Sequence, residues 1–167
     1  EDLMQWRQRQ GLPVGPKVAV ISESLRLPAE ALPSYLRKRL LVITSERAES
    51  GAVVRLENAG VPVERAGPGP GLSGRQVVDA LEEHGLRRVY SIAGARVHHT
   101  LLGSGVLNRL YLTLAHRMLG GDESETMVRG APLVPPTAFA LQSLYLDSEP
   151  LDGAGQLLAA YRHIGSD

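Results

Sequence analysis

The sequence predicts a mixed α/β fold, with a mostly parallel sheet, helices on both of its faces and a C-terminal antiparallel strand pair. Up to residue 115, short β-branched runs alternate with helical segments in the order β-α-β-α-β-α-β. From residue 130 onward, two strand-like segments follow each other directly. A chain of 167 residues with 43% hydrophobic content can bury one core, so we expect a single domain over residues 1–167.

The first two strands are predicted at residues 17–22 (KVAVIS) and 39–45 (RLLVITS), since both runs are rich in β-branched residues, as buried strands are. Ser45 can cap a following helix, which Gly60 would end. The apolar residues of that helix recur at helical spacing: Ala48, Ala52, Leu56 and Ala59.

The third strand is predicted at residues 61–66 (VPVERA), toward a sheet edge, because Pro62 has no N–H to donate to a neighbouring strand. A GPGPG loop follows. The next helix is predicted to start at Ser73, which precedes Gln76 by three residues as in a capping box, and to end at Gly85.

The remaining elements follow from the same signals. Strands are predicted at residues 88–92, 107–115, 139–147 and 156–163, and a short helix at residues 97–102. A turn-rich stretch, residues 148–155, joins the last two strands into an antiparallel pair. Residues 1–10 have the composition of the charged end of a helix or linker.

Composition narrows the class of partner. Eighteen Lys plus Arg balance eighteen Asp plus Glu, which favours neither nucleic acid nor an acidic membrane surface and points to a small molecule. The absence of cysteine excludes disulfides, iron–sulfur ligation and thiol catalysis, and we expect a cytoplasmic protein. No apolar run has the length of a membrane helix, and the start is not a signal peptide. Because residues 1–10 have the character of a helix end or linker, we expect that an N-terminal part is missing.

A glycine pattern, residues 69–74 (GPGLSG), matches the G-x-G-x-x-G of dinucleotide-binding loops. Pro68 and Pro70 remove N–H donors from the loop that would hold phosphate, and no acidic residue ends the next strand to hold a ribose hydroxyl. An ordinary connection is the alternative, and it is the one that we favour.

The stronger candidate lies where the predicted strand 88–92 meets the next helix. Ala93, Gly94 and Ala95 are small, so a phosphate can approach the backbone there, and the helix start directs free N–H groups toward it. Arg96 would add charge. The alternative is that the small residues only allow tight packing of helix and sheet while Arg96 points into water.

These residues belong to a longer stretch, "VYSIAGARVHHTLLGSGVLNRLYLTLAHRMLGGD" (residues 89–122), that resembles the dihydrofolate reductase-like superfamily, in particular the pyrimidine reductase domain of riboflavin biosynthesis. In that family a strand runs into a Gly-Gly turn, a short helix and a leucine-rich strand, with another Gly-Gly after it. The glycines at residues 120–121 correspond to the Gly-Gly pair that follows the leucine-rich strand in the family. The runs "PKVAVISESLRLP", "LLVITSERA" and "LENAGVPVERAG" fit the family in order and spacing.

The resemblance implies NADPH as cofactor, with its diphosphate on the turn and helix start, and its adenosine 2′-phosphate at the end of the second strand. The first group of residues is Ala93, Gly94, Ala95, Arg96 and Val97, and the second is Thr44, Ser45 and Arg47. Two hydroxyls and a guanidinium suit a phosphate dianion. A helix cap for the hydroxyls and a solvated charge for Arg47 are the alternative interpretation.

The substrate side departs from the family in two places. Riboflavin-type reductases usually carry Glu where this chain has Ile92, which cannot accept a hydrogen bond from a pyrimidine. The family's first strand and its Ser-x-Asp-Gly-type motif have no counterpart before Glu1. Glu23, after the first strand, is a candidate for substrate binding, with a solvated loop carboxylate as the alternative.

No catalytic residue is identified, and no metal site is expected, because the five histidines lack the spacing of metal ligands. We expect His98 and His99, adjacent on a helix, to be one core and one surface residue. Two functions stay open: an NADPH-dependent reductase of a pyrimidine or pterin substrate, and a non-catalytic dimerising or nucleotide-sensing module. From the resemblance we expect a homodimer through the late strands, residues 139–147 in particular.

Overall fold

The fold contains five α-helices and six β-strands among the residues that the computed structural model describes, which are residues 2–118, 120, 126–148 and 154–165. The helices are α1 (Leu3–Arg9), α2 (Ser34–Arg37), α3 (Ser50–Asn58), α4 (Gly74–Glu83) and α5 (Ala95–Gly103), and a short 3-10 helix covers Ala29–Ala31. The strands are β1 (Val18–Ile21), β2 (Leu40–Thr44), β3 (Val63–Arg65), β4 (Arg109–Ala115), β5 (Phe139–Asp147) and β6 (Gln156–His163).

The chain divides into two compact units. The first unit comprises residues 1–72 and 76–87, and the second comprises residues 73–75 and 88–167. Each unit contains one three-stranded sheet. Whether the two units act as the single domain expected from the length stays a prediction.

The sheet of the first unit is parallel, in the order β1-β2-β3. The central strand β2 is buried at four of its five residues, as its continuous apolar run predicts. The edge position expected from Pro62 is confirmed for β3. Helix α3 contributes Val53 and Leu56 to a core cluster with Val42 of β2, and further members are Leu25, Ala29, Ala48 and Val61.

The sheet of the second unit is antiparallel, in the order β4-β6-β5. The predicted pairing of β5 with β6 is confirmed, and β6 also pairs with β4. A register shift between Leu141 and Ser143 marks a bulge in β5. Large apolar side chains of this sheet are exposed, and Leu144 and Leu146 of β5 are 54% and 66% accessible.

Two sequence predictions about this architecture are wrong. One mixed sheet was expected, whereas the described residues form two separate sheets. Residues 88–92 were expected to be a strand but are irregular, with Tyr90 and Ile92 exposed. An extended segment becomes a strand only through hydrogen bonds to a neighbour, and no neighbouring strand pairs with residues 88–92 in the described part of the chain.

The start of α3 is a further correction. Ser45 does not cap it: the helix begins at Ser50, with Glu49 in the cap position and no side-chain hydrogen bond to the helix. A turn at Glu46 and Arg47 separates β2 from the helix, because the Glu46 N–H donates to Gly67 O (2.9 Å) instead of continuing into a helical turn. No helix among the described residues has the length and apolarity to cross a bilayer.

Candidate functional site

The turn after β2 carries the three residues for which the sequence suggests phosphate contact. Thr44 is fully buried, Ser45 is 4% exposed and Arg47 is exposed. The Oγ1 of Thr44 has no hydrogen-bond partner among the described residues. Of the three side chains, Arg47 is therefore the one that solvent and a dissolved anion reach directly.

Hydrogen bonds from the end of β3 hold this turn. Thr44 lies opposite Arg65 in the parallel ladder, and the Ala66 N–H donates to Thr44 O (2.8 Å). Arg65 donates from Nη1 to Glu46 O (2.9 Å), and Arg47 donates from Nε to Pro68 O (3.1 Å). Hydrogen bonds to its backbone thus hold the turn in place. No described residue accepts a hydrogen bond from the Nη groups of Arg47.

Gly67 is needed where the turn meets the loop after β3. Its φ is +94°, a left-handed conformation that side chains rarely adopt, and a Cβ there would overlap the side chain of Gln76. Its carbonyl accepts the Glu46 N–H. Sequence reasoning missed Arg65 and Gly67, because their roles depend on partners about twenty residues away along the chain.

The segment before α5 is open. Ala93, Gly94 and Arg96 are exposed, and a Cβ added at Gly94 would meet nothing within 4 Å. Helix α5 begins at Ala95, with Gly94 as its N-cap residue, no side-chain cap and no acidic residue in its first turn. The first N–H groups of a helix lack partners within the helix, so those of Ala95, Arg96 and Val97 are available to an external acceptor.

The two substrate candidates are both at the surface. Ile92 is 100% exposed in the irregular segment before α5. Glu23 is exposed in the first unit, beside the GPGPG loop: a Cβ at Gly71 would lie 3.0 Å from Glu23 Oε1. A side chain at position 71 would therefore need only a small shift of the exposed Glu23 carboxylate.

The G-x-G-x-x-G pattern does not form a phosphate loop. It follows β3 and opens α4, as the dinucleotide motif would, but the N–H of its last glycine, Gly74, donates to Ser104 Oγ (2.8 Å). A Cβ at Gly74 would also lie 2.9 Å from the Cβ of Ser104. The third glycine therefore serves close packing, which agrees with the ordinary connection favoured by the sequence.

The expectation for His98 and His99 is wrong, because both side chains are partly exposed and neither is a core residue. Each imidazole bonds to a backbone carbonyl of the segment that runs beside α5: His98 Nδ1 to Met127 O (3.1 Å) and His99 Nε2 to Ala131 O (2.7 Å). The Arg129 N–H donates to Ala95 O (3.0 Å). These contacts hold residues 127–131 along the helix.

A cavity of about 450 Å³ in the second unit lies beside that segment. It is lined by both histidines, by Leu102 and Leu110, and by residues between Met127 and Phe139. Most of the lining is apolar, and both imidazoles already bond to backbone carbonyls. The predicted Gly-Gly pair at residues 120–121 cannot be compared, because Gly121 lies outside the described residues.

Sequence comparison assigns the family. The model of the RibD C-terminal domain matches residues 2–149. The chain belongs to the RibD C-terminal domain family. The resemblance expected from the sequence is therefore confirmed. No curated protein sequence matches this chain significantly.

Solved structures support the fold. A pyrimidine reductase-like protein from Corynebacterium diphtheriae superposes with a TM-score of 0.73 and 24% identity over 98% of this chain and 67% of that one. Two crystal forms of Acinetobacter baumannii RibD give TM-scores of 0.64 and 0.60 at 18% and 19% identity. They cover 89% and 87% of this chain, which spans only 38% and 37% of RibD. At these identities the likeness establishes a mixed α/β fold.

Proposed function

We propose that this member of the RibD C-terminal domain family is an NADPH-dependent reductase of a pyrimidine or pterin-type small molecule, most like the reductase that acts on a ribosylamino-pyrimidine phosphate in riboflavin biosynthesis. Its sheets and helices would then be parts of a dihydrofolate reductase-like fold. The observation that carries the proposal is the start of α5, which has no side-chain cap and follows the exposed Ala93 and Gly94. Family membership supports a nicotinamide cofactor.

The start of α5 fits a diphosphate in three respects. A carboxylate in the first turn would repel phosphate, and α5 has none. Gly94 has open space beside it, so phosphate oxygens can approach the backbone. The amides of Ala95, Arg96 and Val97, the positive end of the helix and the exposed Arg96 guanidinium all favour an anion.

The turn after β2 fits a phosphate monoester through Arg47. Its Nε is held by Pro68 O, so the guanidinium is oriented, while its two Nη groups can form paired hydrogen bonds with phosphate oxygens. Thr44 and Ser45 are buried beneath it, and the Thr44 hydroxyl lacks a partner among the described residues. We assign the 2′-phosphate contact to Arg47 first, with Thr44 and Ser45 as supporting residues.

Bound NADPH would supply hydride to a C=N or sugar-imine carbon of the substrate. The residues of the chain bind and orient the cofactor and substrate, which is the main contribution of a protein to cofactor-based chemistry. Ile92 offers the substrate an apolar contact only. Glu23 offers a carboxylate, and it is the proposed polar contact to the substrate.

The test compares NADPH and NADH with wild-type protein and Arg47→Ala. Loss of a charge-assisted hydrogen bond costs about 1.5–3 kcal/mol, so we expect the variant to bind NADPH at least tenfold more weakly and NADH almost unchanged. Titration calorimetry with both nucleotides measures this difference. Equal losses for the two nucleotides would refute a 2′-phosphate contact at Arg47.

A non-catalytic nucleotide-sensing module on the same fold is the second candidate, favoured by the apolar, fully exposed Ile92 at a position where riboflavin-type reductases usually carry Glu. NADPH oxidation measured with an aminopyrimidine or dihydrofolate separates the two. Turnover supports the reductase. Cofactor binding without turnover supports the module.

We also propose a homodimer formed through the strands of the antiparallel sheet. Leu144 and Leu146 lie on one face of β5, opposite Ala159 and Leu157 of β6, and both leucines are more than half exposed. Exposed apolar side chains in such a row are typical of interaction surfaces. We expect a sedimenting dimer for the wild type and a monomer for Leu144→Glu, while Gln142→Glu, at the bulge, stays dimeric. A monomeric wild type would contradict the proposal.

A further inference from the structure

The guanidinium of Arg65 spans the turn that carries Arg47. Nη1 donates to Glu46 O at 2.9 Å, and Nη2 donates to Ser50 Oγ at 3.4 Å. Glu46 directly precedes Arg47, and Ser50 is the first residue of α3. One side chain from the end of β3 therefore connects both ends of the turn between β2 and α3.

The shape of an arginine is well suited to make both contacts at once. Its planar fork presents donors in two directions from a rigid group, whereas the ammonium group of a lysine is a single compact donor centre. Both acceptors are neutral, a backbone carbonyl and a hydroxyl, so Arg65 is used here for its shape. Two further hydrogen bonds join the same turn to the loop after β3, from Glu46 N–H to Gly67 O and from Arg47 Nε to Pro68 O.

We propose that Arg65 is a positioning residue for cofactor choice: by holding Glu46 and Ser50 it keeps the turn in the conformation from which Arg47 binds the 2′-phosphate. The proposal rests on the NADPH-dependent function proposed above. Both Nη groups of Arg65 donate to the turn, so we assign Arg65 no direct contact with the phosphate. It would thus determine the preference for NADPH over NADH without touching either nucleotide.

Arg55 provides a matched control in the same unit. It also braces backbone carbonyls, donating from Nη2 to Leu25 O (2.8 Å) and from Nη1 to Leu27 O (3.1 Å). It makes no hydrogen bond to the turn at residues 45–49 in the described structure. We therefore expect Arg55→Ala to remove hydrogen bonds of the same kind while leaving the proposed phosphate-binding turn intact.

The first experiment measures dissociation constants for NADPH and NADH with wild type, Arg65→Ala, Arg65→Lys and Arg55→Ala. We expect both Arg65 variants to lose about tenfold of the preference for NADPH, the effect of about one charge-assisted hydrogen bond, with NADH affinity unchanged. Arg55→Ala should keep the wild-type ratio of the NADH and NADPH dissociation constants. A ratio retained by Arg65→Lys would show that charge alone matters, and a ratio unchanged in both Arg65 variants would exclude any role; either result overturns the proposal.

The second experiment needs no cofactor. Amide hydrogen exchange at Glu46 and Ala48, whose N–H groups donate to Gly67 O and Ser45 O, reports the order of the turn. We expect faster exchange in Arg65→Ala and wild-type exchange in Arg55→Ala. Unchanged exchange in Arg65→Ala would refute only the role of Arg65 in holding the turn. A wild type that binds no NADPH would refute the cofactor function and, with it, the role of Arg65 in binding.

Discussion

The turn after β2 and the segment before α5 both lead into a helix without a side-chain cap, and they are built in opposite ways. The turn follows a buried strand and is held by hydrogen bonds from Arg65, Gly67 and Pro68. The segment before α5 is irregular and exposed, and Ile92 is fully accessible. One region offers a fixed guanidinium, and the other offers free backbone amides.

The difference indicates how each region would recognise a phosphate group. A phosphate monoester carries up to two charges and is bound well by an oriented arginine, which requires a turn of fixed shape. A diphosphate bridge is bound well by consecutive amides at a helix start, which requires small residues and open space. The turn after β2 would therefore depend on packing to hold its arginine in place, and the segment before α5 would depend on the absence of side chains that could block its amides.

The largest expected effect contrasts the core of the first unit with the exposed segment before α5. Leu56 of α3 is fully buried, and Leu56→Ala should lower the free energy of unfolding by about 2–5 kcal/mol. Ile92→Ala should change it by less than about 0.5 kcal/mol, because the side chain is fully exposed. Urea unfolding of the two variants measures both values. Similar losses would show that the open segment is packed in solution.

Two glycines give a smaller effect that separates stability from binding. Gly67→Ala forces a methyl group into a left-handed conformation and against Gln76, and should cost about 1–2 kcal/mol of stability. Gly94 has a φ of −69° and open space around it, so Gly94→Ala should cost less than about 1 kcal/mol. Because its methyl group would obstruct the amides, we expect it to weaken NADPH and NADH equally. Thermal unfolding and titration calorimetry test the pair, and a nucleotide affinity unaffected by Gly94→Ala would contradict the assigned contact.

The smallest effect concerns Arg55, the second arginine of the first unit that donates to backbone carbonyls, and its partner Glu30. The backbone hydrogen bond at Glu30 and the side-chain bond from Arg55 lower the pKa of the Glu30 carboxyl. A lowered folded-state pKa means that the charged pair contributes at neutral pH and that this contribution is lost as the pH falls through that pKa. Both side chains are exposed, so the contribution is small. We expect the free energy of unfolding of Glu30→Gln to fall slightly less at acidic pH than that of the wild type, while NADPH affinity stays the same. An unchanged pH dependence would contradict a stabilising pair between Glu30 and Arg55.

The elements that the sequence predicts well are those with local signals. Strands β5 and β6 have the predicted bounds, and α4 lies between its predicted cap, Ser73, and the glycine that follows it. The strand at residues 88–92 was wrong because apolar composition cannot supply the neighbour that a strand requires. The capping role of Ser45 was wrong because the Glu46 N–H bonds to Gly67, a partner that local spacing does not reveal.

The binding roles assigned to the candidate site residues stay predictions, and the structure adds how exposed each residue is. The small residues at positions 93–95 can be read from the sequence, whereas the helix predicted from residue 97 begins at Ala95 in the structure. The accessibility of Arg47 and the burial of Thr44 and Ser45 depend on the fold. Arg65 and the segment that bonds His98 and His99 could not be found from spacing, because backbone carbonyls as acceptors leave no trace in residue identity.

The central claim is that the amides at the start of α5 bind the diphosphate of NADPH. The most direct measurement is a titration of the isotope-labelled protein with NADPH, followed by the amide NMR signals of Ala95, Arg96 and Val97. We predict that these three amides show the largest shifts in the second unit, moving downfield as they donate to phosphate oxygens. Saturable binding that leaves all three signals unmoved, or no binding at all, would contradict the account.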